Sequence, residues 1–197
     1  ADMALTVDTS TGEVYATGVA TDAVSIETST GSILVEEFTR GANIRSTTGS
    51  IDIRRCDGDF AVRSTTGSIA ITSVDGDLEV SSSTGAQRYE EIDGDIEARS
   101  TTGRIELSET EGRLRLRTST GRQVGTGVRL TGDSSFDSTT GNIEVDLEND
   151  VDALEFDLSS TTGSLRVGAD RSQRELFLSG TGHTVTGSTS TGSQHYF

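Results

Sequence analysis

The chain has 197 residues and a formal net charge of −16, with 32 acidic side chains against 16 arginines and no lysine. This acidity excludes a general nucleic-acid binder, which needs a basic surface, and it disfavours contact with anionic membranes. Only 31% of the residues are hydrophobic, so a folded chain of this composition requires regularly placed apolar residues.

No stretch approaches 18 consecutive apolar residues, and no signal-peptide pattern is present. We therefore expect this segment not to insert into a membrane and to begin after any export signal. Cys56 is the only cysteine, which excludes an intrachain disulfide.

The predicted elements recur with a Ser/Thr-Thr-Gly triplet that appears ten times along the chain. Five consecutive steps between its glycines are 18 residues long, for example from Gly31 to Gly49, and three near-identical copies begin with "RSTTG" at Arg45, Arg63 and Arg99. Such self-similarity indicates stacked repeats. The triplet glycines are Gly12, Gly31, Gly49, Gly67, Gly85, Gly103, Gly121, Gly141, Gly163 and Gly192.

In chain order, each repeat predicts one strand that leads into the triplet and a second strand that follows it. Apolar residues lie seven and five positions before the glycine, and two and four positions after it, which is the two-residue period of a half-buried strand. A further apolar column, seven after the glycine, is expected to fill the corner between the strands. That column contains Val19, Phe38, Cys56, Val74, Ile92, Thr110 and Val128.

The repeats become irregular toward the C-terminus. The last two steps between triplet glycines are 22 and 29 residues long, and "GADRSQRELF" from Gly168 predicts a surface excursion or a change in coil shape. No cap is obvious in the sequence, which leaves the solenoid ends open to self-association unless Tyr196 and Phe197 cover the last coil.

These patterns predict an all-β fold, a single-stranded parallel β-solenoid (β-helix). We expect about ten coils of about 18 residues, with two short strands per coil spaced by about 4.8 Å. Residues 1–197 are expected to form one domain, with regular coils at 12–141 and irregular coils with insertions at 142–197.

The repeated "STTGSIxI" followed by "DGDLxV" resembles the adhesin family of bacterial and archaeal repeat proteins, a domain of unknown function. The resemblance covers most of the chain and is strongest from Gly31 to Gly121. It implies a right-handed parallel β-solenoid that is extracytoplasmic, at the cell surface or membrane-anchored, and it implies no catalysis. It assigns no functional residues.

A repeated Asp-Gly-Asp corner is the candidate calcium site. Stacked aspartates repel one another, so arginines, turn amides, bulk salt or a divalent cation must offset their charge. The double glycine of calcium-binding β-rolls is absent, so Ca²⁺ is the less favoured alternative and no other cofactor is expected. The six candidate ligands are Asp57, Asp59, Asp75, Asp77, Asp93 and Asp95.

Arginines that lie four positions before the glycine form the candidate ligand-binding column: Arg45, Arg63, Arg99 and Arg117. On an outward strand face they could bind the carboxylates or sulfates of a polysaccharide through bidentate contacts. The alternative, which we favour, is pairing with neighbouring acids such as Glu79, Glu97 and Glu106.

Catalysis is not expected, because the chain has only His183 and His195 as imidazoles, without metal-ligand spacing or a nucleophile motif. The favoured function is a non-catalytic extracytoplasmic surface module, an adhesin or scaffold that makes weak multivalent contacts with glycan, envelope or protein. The alternatives are a cation-dependent structural spacer with Asp-ladder Ca²⁺ sites and, third, a carbohydrate-active enzyme.

Overall fold

The computed structural model describes residues 4–21 and 23–197, and the regular elements in these residues are β-strands that form two sheets of 11 strands each. No helix in the described residues is long and apolar enough to cross a membrane. The first sheet contains β1 (Ala4–Thr11), β3 (Ala23–Thr30), β5 (Ala42–Thr48), β7 (Phe60–Thr66), β9 (Leu78–Thr84), β11 (Ile96–Thr102), β13 (Leu114–Thr120), β15 (Ser134–Thr140), β17 (Glu155–Thr162), β20 (Glu175–Leu178) and β21 (Thr184–Thr191). The second contains β2 (Val14–Thr17), β4 (Ile33–Glu36), β6 (Ile51–Asp57), β8 (Ile69–Asp75), β10 (Gln87–Asp93), β12 (Ile105–Gly112), β14 (Gln123–Leu130), β16 (Ile143–Leu147), β18 (Leu165–Val167), β19 (Asp170–Ser172) and β22 (Gln194–Tyr196).

The strands stack as a parallel β-solenoid, which confirms the predicted fold class. From β1 to β16 the odd strands form one sheet and the even strands the other, and each strand pairs in parallel with its counterpart in the next coil. Corresponding residues lie in register, as where Arg45 faces Arg63 across an 18-residue step. About eight turns follow one another in this way, slightly fewer than the ten that we predicted.

The remaining strands stack out of chain order. The coil formed by β21 and β22 lies between the coil of β15 and β16 and the coil of β17 and β18. The triplet ladder follows the same spatial order, because the Gly141 amide bonds to the Thr191 carbonyl and the Gly192 amide bonds to the Thr162 carbonyl. The chain therefore passes over one coil position after β16 and fills it with its last residues.

The segment after Gly168 forms a cap. Strand β19 pairs antiparallel with β18, and β20 pairs antiparallel with β17, so both sheets end in a short reversed strand. This confirms an excursion in the "GADRSQRELF" region. Our suggestion that Tyr196 and Phe197 cover the last coil is wrong: Tyr196 is fully buried in the inserted coil, because β22 lies between two other strands.

The predicted inward columns form the core between the two sheets. Ile51, Ile69 and Ile105 are each at most 1% exposed, as the two-residue period requires. Cys56 is also buried in the corner column, where its sulfur accepts a hydrogen bond from the Phe38 amide. Burial raises the pKa of this thiol, so Cys56 is a small core residue and not a reactive one.

Glutamines occupy three inward positions that aliphatic residues fill in other coils. Gln87, Gln123 and Gln194 are all fully buried. The Gln87 amide nitrogen donates to the Ser82 hydroxyl and to a backbone carbonyl, and its oxygen accepts from Tyr89. These bonds offset the cost of burying the amide. The sequence pattern Gln-x-Tyr marks two of these coils, at Gln87 and Gln194.

Each interior triplet glycine lies against the backbone of the adjacent coil. A Cβ on Gly49 would lie 1.9 Å from the Gly31 carbonyl oxygen, and one on Gly67 would lie 1.9 Å from the Gly49 oxygen. The glycines are therefore needed for close backbone approach as well as for their positive φ.

A column of left-handed residues explains how two inward positions come to lie three residues apart. The residue six after the triplet glycine has φ between 50° and 57° in five coils and is not glycine in any of them. It takes no part in the ladder pairing, so the strand shifts phase and the corner residue points inward again. The column consists of Glu37, Arg55, Ser73, Glu91 and Glu109.

Replacing one of these residues by glycine is expected to stabilise the protein. A residue with a side chain pays about 1–2 kcal/mol to adopt left-handed backbone, and glycine avoids this cost. Glycine also has more conformational entropy in the unfolded state, which cancels about half of the stabilisation. Glu109→Gly suits the test because Gly127 already occupies the equivalent place in the next coil. We expect a net gain of about 0.5–1 kcal/mol in the free energy of unfolding, measured by denaturant titration. Glu90→Gly is the control in ordinary strand backbone and should lower stability. Equal effects of both changes would contradict the left-handed conformation of Glu109.

Candidate functional site

The four arginines of the predicted column lie on the outward face of the first sheet. Arg45 faces Arg63, and Arg99 faces Arg117, with Ser81 between the two pairs. Each guanidinium has a carboxylate partner: Glu27 for Arg45 at 2.8 Å, Glu79 for Arg63 at 3.5 Å, Glu97 for Arg99, and Asp137 for Arg117 at 3.1 Å.

This pairing agrees with the alternative that we favoured for the column, although Glu106 pairs elsewhere, with Arg88 and Arg104. The arginine side chains remain 49–68% exposed. An ion pair that is this exposed contributes about 0–1 kcal/mol. The column is therefore paired in the free protein but could exchange its partners for the anionic groups of a ligand.

The aspartates of the Asp-Gly-Asp corner divide into two rows with different environments. In the inner row, the Asp59 carboxylate accepts a hydrogen bond from the Asp77 amide, Asp77 accepts one from the Asp95 amide, and Asp95 accepts one from the Arg113 amide, each at 2.9 Å. Each carboxylate thus binds the backbone of the next coil, which offsets part of the charge repulsion along the row.

Asp95 ends this row against an arginine. Its burial acts to raise the pKa, but hydrogen bonds from the amide and the guanidinium of Arg113 outweigh that effect, so the pKa of the Asp95 carboxyl lies below its usual value. The Asp95 carboxyl at the end of the row therefore favours its ionised form, which accepts hydrogen bonds and does not donate a proton.

The outer row consists of Asp57, Asp75 and Asp93, which pair in register and are exposed, and it continues to Glu111. In the part of the chain that the structure describes, no group of three or more acidic, histidine or cysteine side chains lies close enough together to hold a metal ion.

A shallow groove of about 530 Å³ runs along the corner where the strands of the first sheet begin. It crosses the coils from β3 to β13, with the inner aspartate row on one side and outward side chains of the sheet on the other. Its middle part is acidic, with Arg40 toward one end and Arg113 and Arg115 at the other. The charged lining includes Asp59, Asp77, Glu79, Glu97, Arg113 and Arg115.

Sequence reasoning missed the groove, because its width depends on how two outward columns are spaced around a corner. The available signal was the alignment of columns eight and six positions before the triplet glycine, which contain Asp77 and Glu79 in one coil and Asp95 and Glu97 in the next. The arginine column lies at four positions before the glycine, so only Glu79 and Glu97 belong to the groove and also pair with column arginines.

The two histidines lie in different parts of the C-terminal region. The His183 carbonyl accepts a bond from the Glu155 amide just before β21, whereas His195 lies on the outward face of β22, with its ring 4.7 Å from that of Phe197. Neither His183 nor His195 lines the groove.

A scan against protein-family models, a search of curated proteins and a search of solved structures each found no match. The fold itself therefore defines the class: the chain is a two-sheeted parallel β-solenoid repeat protein with charged columns along its faces.

Proposed function

We propose that the protein is a non-catalytic surface module outside the cytoplasm, an adhesin or scaffold that makes weak multivalent contacts with an extended polymer. A glycan is the preferred ligand, and an envelope component or a partner protein is the alternative. The observation that carries the proposal is the groove that crosses the coils from β3 to β13. The resemblance to the adhesin family points to the same class.

The repeat supplies equivalent groups at a constant spacing of about 4.8 Å, so a polymer that lies along the groove would meet the same groups coil after coil. Glu79 and Glu97 lie in register on adjacent strands, so their carboxylates could accept hydroxyl bonds from successive sugars. Each contact alone would be weak, and their number along a rigid groove would supply the affinity.

The bonding of the inner aspartates favours binding over catalysis. The carboxylates of Asp59, Asp77 and Asp95 are all engaged by amides of the next coil. A general acid needs a raised pKa and a free proton, and the hydrogen bonds to Asp95 act in the opposite direction.

The test is retention on a panel of immobilised neutral and acidic glycans, measured for the wild type and two variants. Glu79→Gln with Glu97→Gln removes the groove carboxylates, and Arg45→Gln with Arg63→Gln and Arg99→Gln removes most of the arginine column. If the groove binds the glycan, the first variant is expected to lose at least about tenfold in apparent affinity, since multivalent losses multiply.

The control is Arg88→Gln, which removes an exposed ion pair on the other sheet and should leave retention unchanged. Loss in the arginine variant alone would transfer the site to the arginine column. Absence of retention on every glycan, or no change in either variant, would overturn glycan binding by these faces.

The competing function is a cation-dependent spacer, which the exposed acidic row of Asp57, Asp75 and Asp93 favours. We predict that millimolar calcium does not raise the melting temperature above that in chelator at equal ionic strength, because amides and Arg113 already bind the inner row, and among the described residues no three carboxylates of the outer row lie close enough together to hold the ion. A ligand that binds only the native state raises that temperature. A rise with calcium, absent in Asp75→Asn with Asp93→Asn, would support the spacer.

A further inference from the structure

Two arginines and a histidine lie next to one another on the outward face of the second sheet, at its capped end. Arg166 on β18 faces His195 on β22 to one side and Arg171 on β19 to the other. Glu144 lies beyond His195, but it already forms an ion pair with Arg122.

Among the described residues, the two arginines have no acidic partner. In residues 4–21 and 23–197, neither Arg166 nor Arg171 has a carboxylate within ion-pair distance, whereas the column arginines of the first sheet all have one. The Arg166 Nε atom donates to the Gly168 carbonyl at 3.0 Å, which fixes the guanidinium and leaves its two terminal nitrogens for another acceptor. Like charges directly opposite each other on paired strands destabilise a sheet.

The same side chains border a cavity of about 550 Å³ on this face. Ser164 and Ser193 lie in its lining, and their hydroxyls are 3.0 Å apart. The cavity thus combines two guanidinium groups, an imidazole and hydroxyl groups, which are the donors that bind oxyanions in proteins.

We propose that Arg166, Arg171 and His195 form a binding site for an oxyanion, a carboxylate, sulfate or phosphate group, at the capped end of the solenoid. This site is separate from the groove, because it lies on the other sheet. An oxyanion there would neutralise the facing arginines and so remove the repulsion between them.

Charge at His195 offers a direct readout of binding. Burial is the first cause that lowers the pKa of His195, followed by Arg166 and Arg171, while Glu144 acts to raise it. Its ring also packs against Phe197. A bound anion adds negative charge and should therefore raise the pKa of His195, and binding should strengthen as the pH falls through that pKa.

The experiment is an NMR titration of the His195 ring with sodium sulfate and with sodium acetate, against sodium chloride at equal ionic strength. We expect saturable shifts and a raised pKa for His195, with His183 as the internal reference. Arg171→Gln, on an exposed side chain, should weaken sulfate binding about tenfold, in line with the loss of a charge-assisted hydrogen bond pair. Arg88→Gln, at an ion-paired arginine on β10 of the same sheet that belongs to neither proposed site, should leave it unchanged.

A second arm compares sulfated dextran with neutral dextran, which distinguishes an oxyanion carried on a polymer from the free ion. Sulfate binding without retention of the sulfated polymer would assign the site to a small anion. No saturable shift with either salt, or equal binding by the wild type and Arg171→Gln, would overturn the proposal.

Discussion

Gly67→Ala is expected to destabilise the protein by more than about 4 kcal/mol, enough to prevent folding of a marginally stable chain. The added Cβ would lie 1.9 Å from the Gly49 carbonyl oxygen, which is backbone and cannot rotate away. The Gly49 amide also bonds to the Thr66 carbonyl, so separating the two coils would break the ladder at the turn. The free energy of unfolding, from urea titration, is the measurement.

Two control variants separate the clash from backbone strain. Gly12→Ala places a side chain at a φ of 129° in the first described coil, where no atom lies within 4 Å of the new Cβ. Gly127→Ala lies in an interior coil at a φ of 62°, and its nearest contact is 3.7 Å away. Both should cost only about 1–3 kcal/mol. Losses as large as that of Gly67→Ala would mean that φ alone, and not the stacking of coils, requires glycine in the triplet.

The periodic part of the fold could be predicted from the sequence because stacking repeats one environment in every coil. The inward positions of the central coils, such as Ile53, Val62 and Ile71, are all fully buried. A one-residue error in register would expose this whole set, so the two-residue period fixes which face is inside. The corner residue could also be placed, because Phe38, Cys56 and Val74 keep the same distance from their glycines.

The left-handed column was not predicted, although the sequence contained a signal for it. Ile53 and Cys56 both point inward at a spacing of three, which a regular strand cannot achieve. One residue between them must therefore leave the ladder, and the structure assigns this to Arg55. These coils have no glycine at this position, so the usual sequence signal for left-handed backbone was absent.

The order of the last coils could not be predicted either, because every triplet presents the same chemistry to its neighbours. Gly192 fits on Gly141, and Gly163 fits on Gly192, with the same close contacts as between consecutive coils. The long steps of 22 and 29 residues indicated an insertion but not where the strands would pair. The cluster of Arg166, Arg171 and His195 was missed for the same reason, since it depends on that pairing.

Tyr196→Ala is expected to cost about 3–5 kcal/mol, the range for removing a large buried aromatic side chain. The Tyr196 ring lies 5.7 Å from that of Phe136 and 5.5 Å from that of Phe156, so it joins the coils on both sides of the inserted one. Gly187 supplies the space, because a Cβ there would lie 2.8 Å from the Tyr196 hydroxyl oxygen.

The loss should be concentrated in the last three coils, because the inserted coil holds β17 and β18 to the rest of the solenoid. Hydrogen exchange is the measurement: amides of β15, β17 and β21 should lose protection while those of β5 to β11 retain it. Phe197→Ala, at the adjacent and 43% exposed position, is the matched control and should have little effect. If instead Phe197→Ala were the more damaging change, or protection were lost from β22 alone, the last strand would be a terminal cover and not an internal coil. A coil at the end of the stack would leave the Tyr196 ring uncovered on one side, so the full expected cost of Tyr196→Ala depends on insertion between two coils.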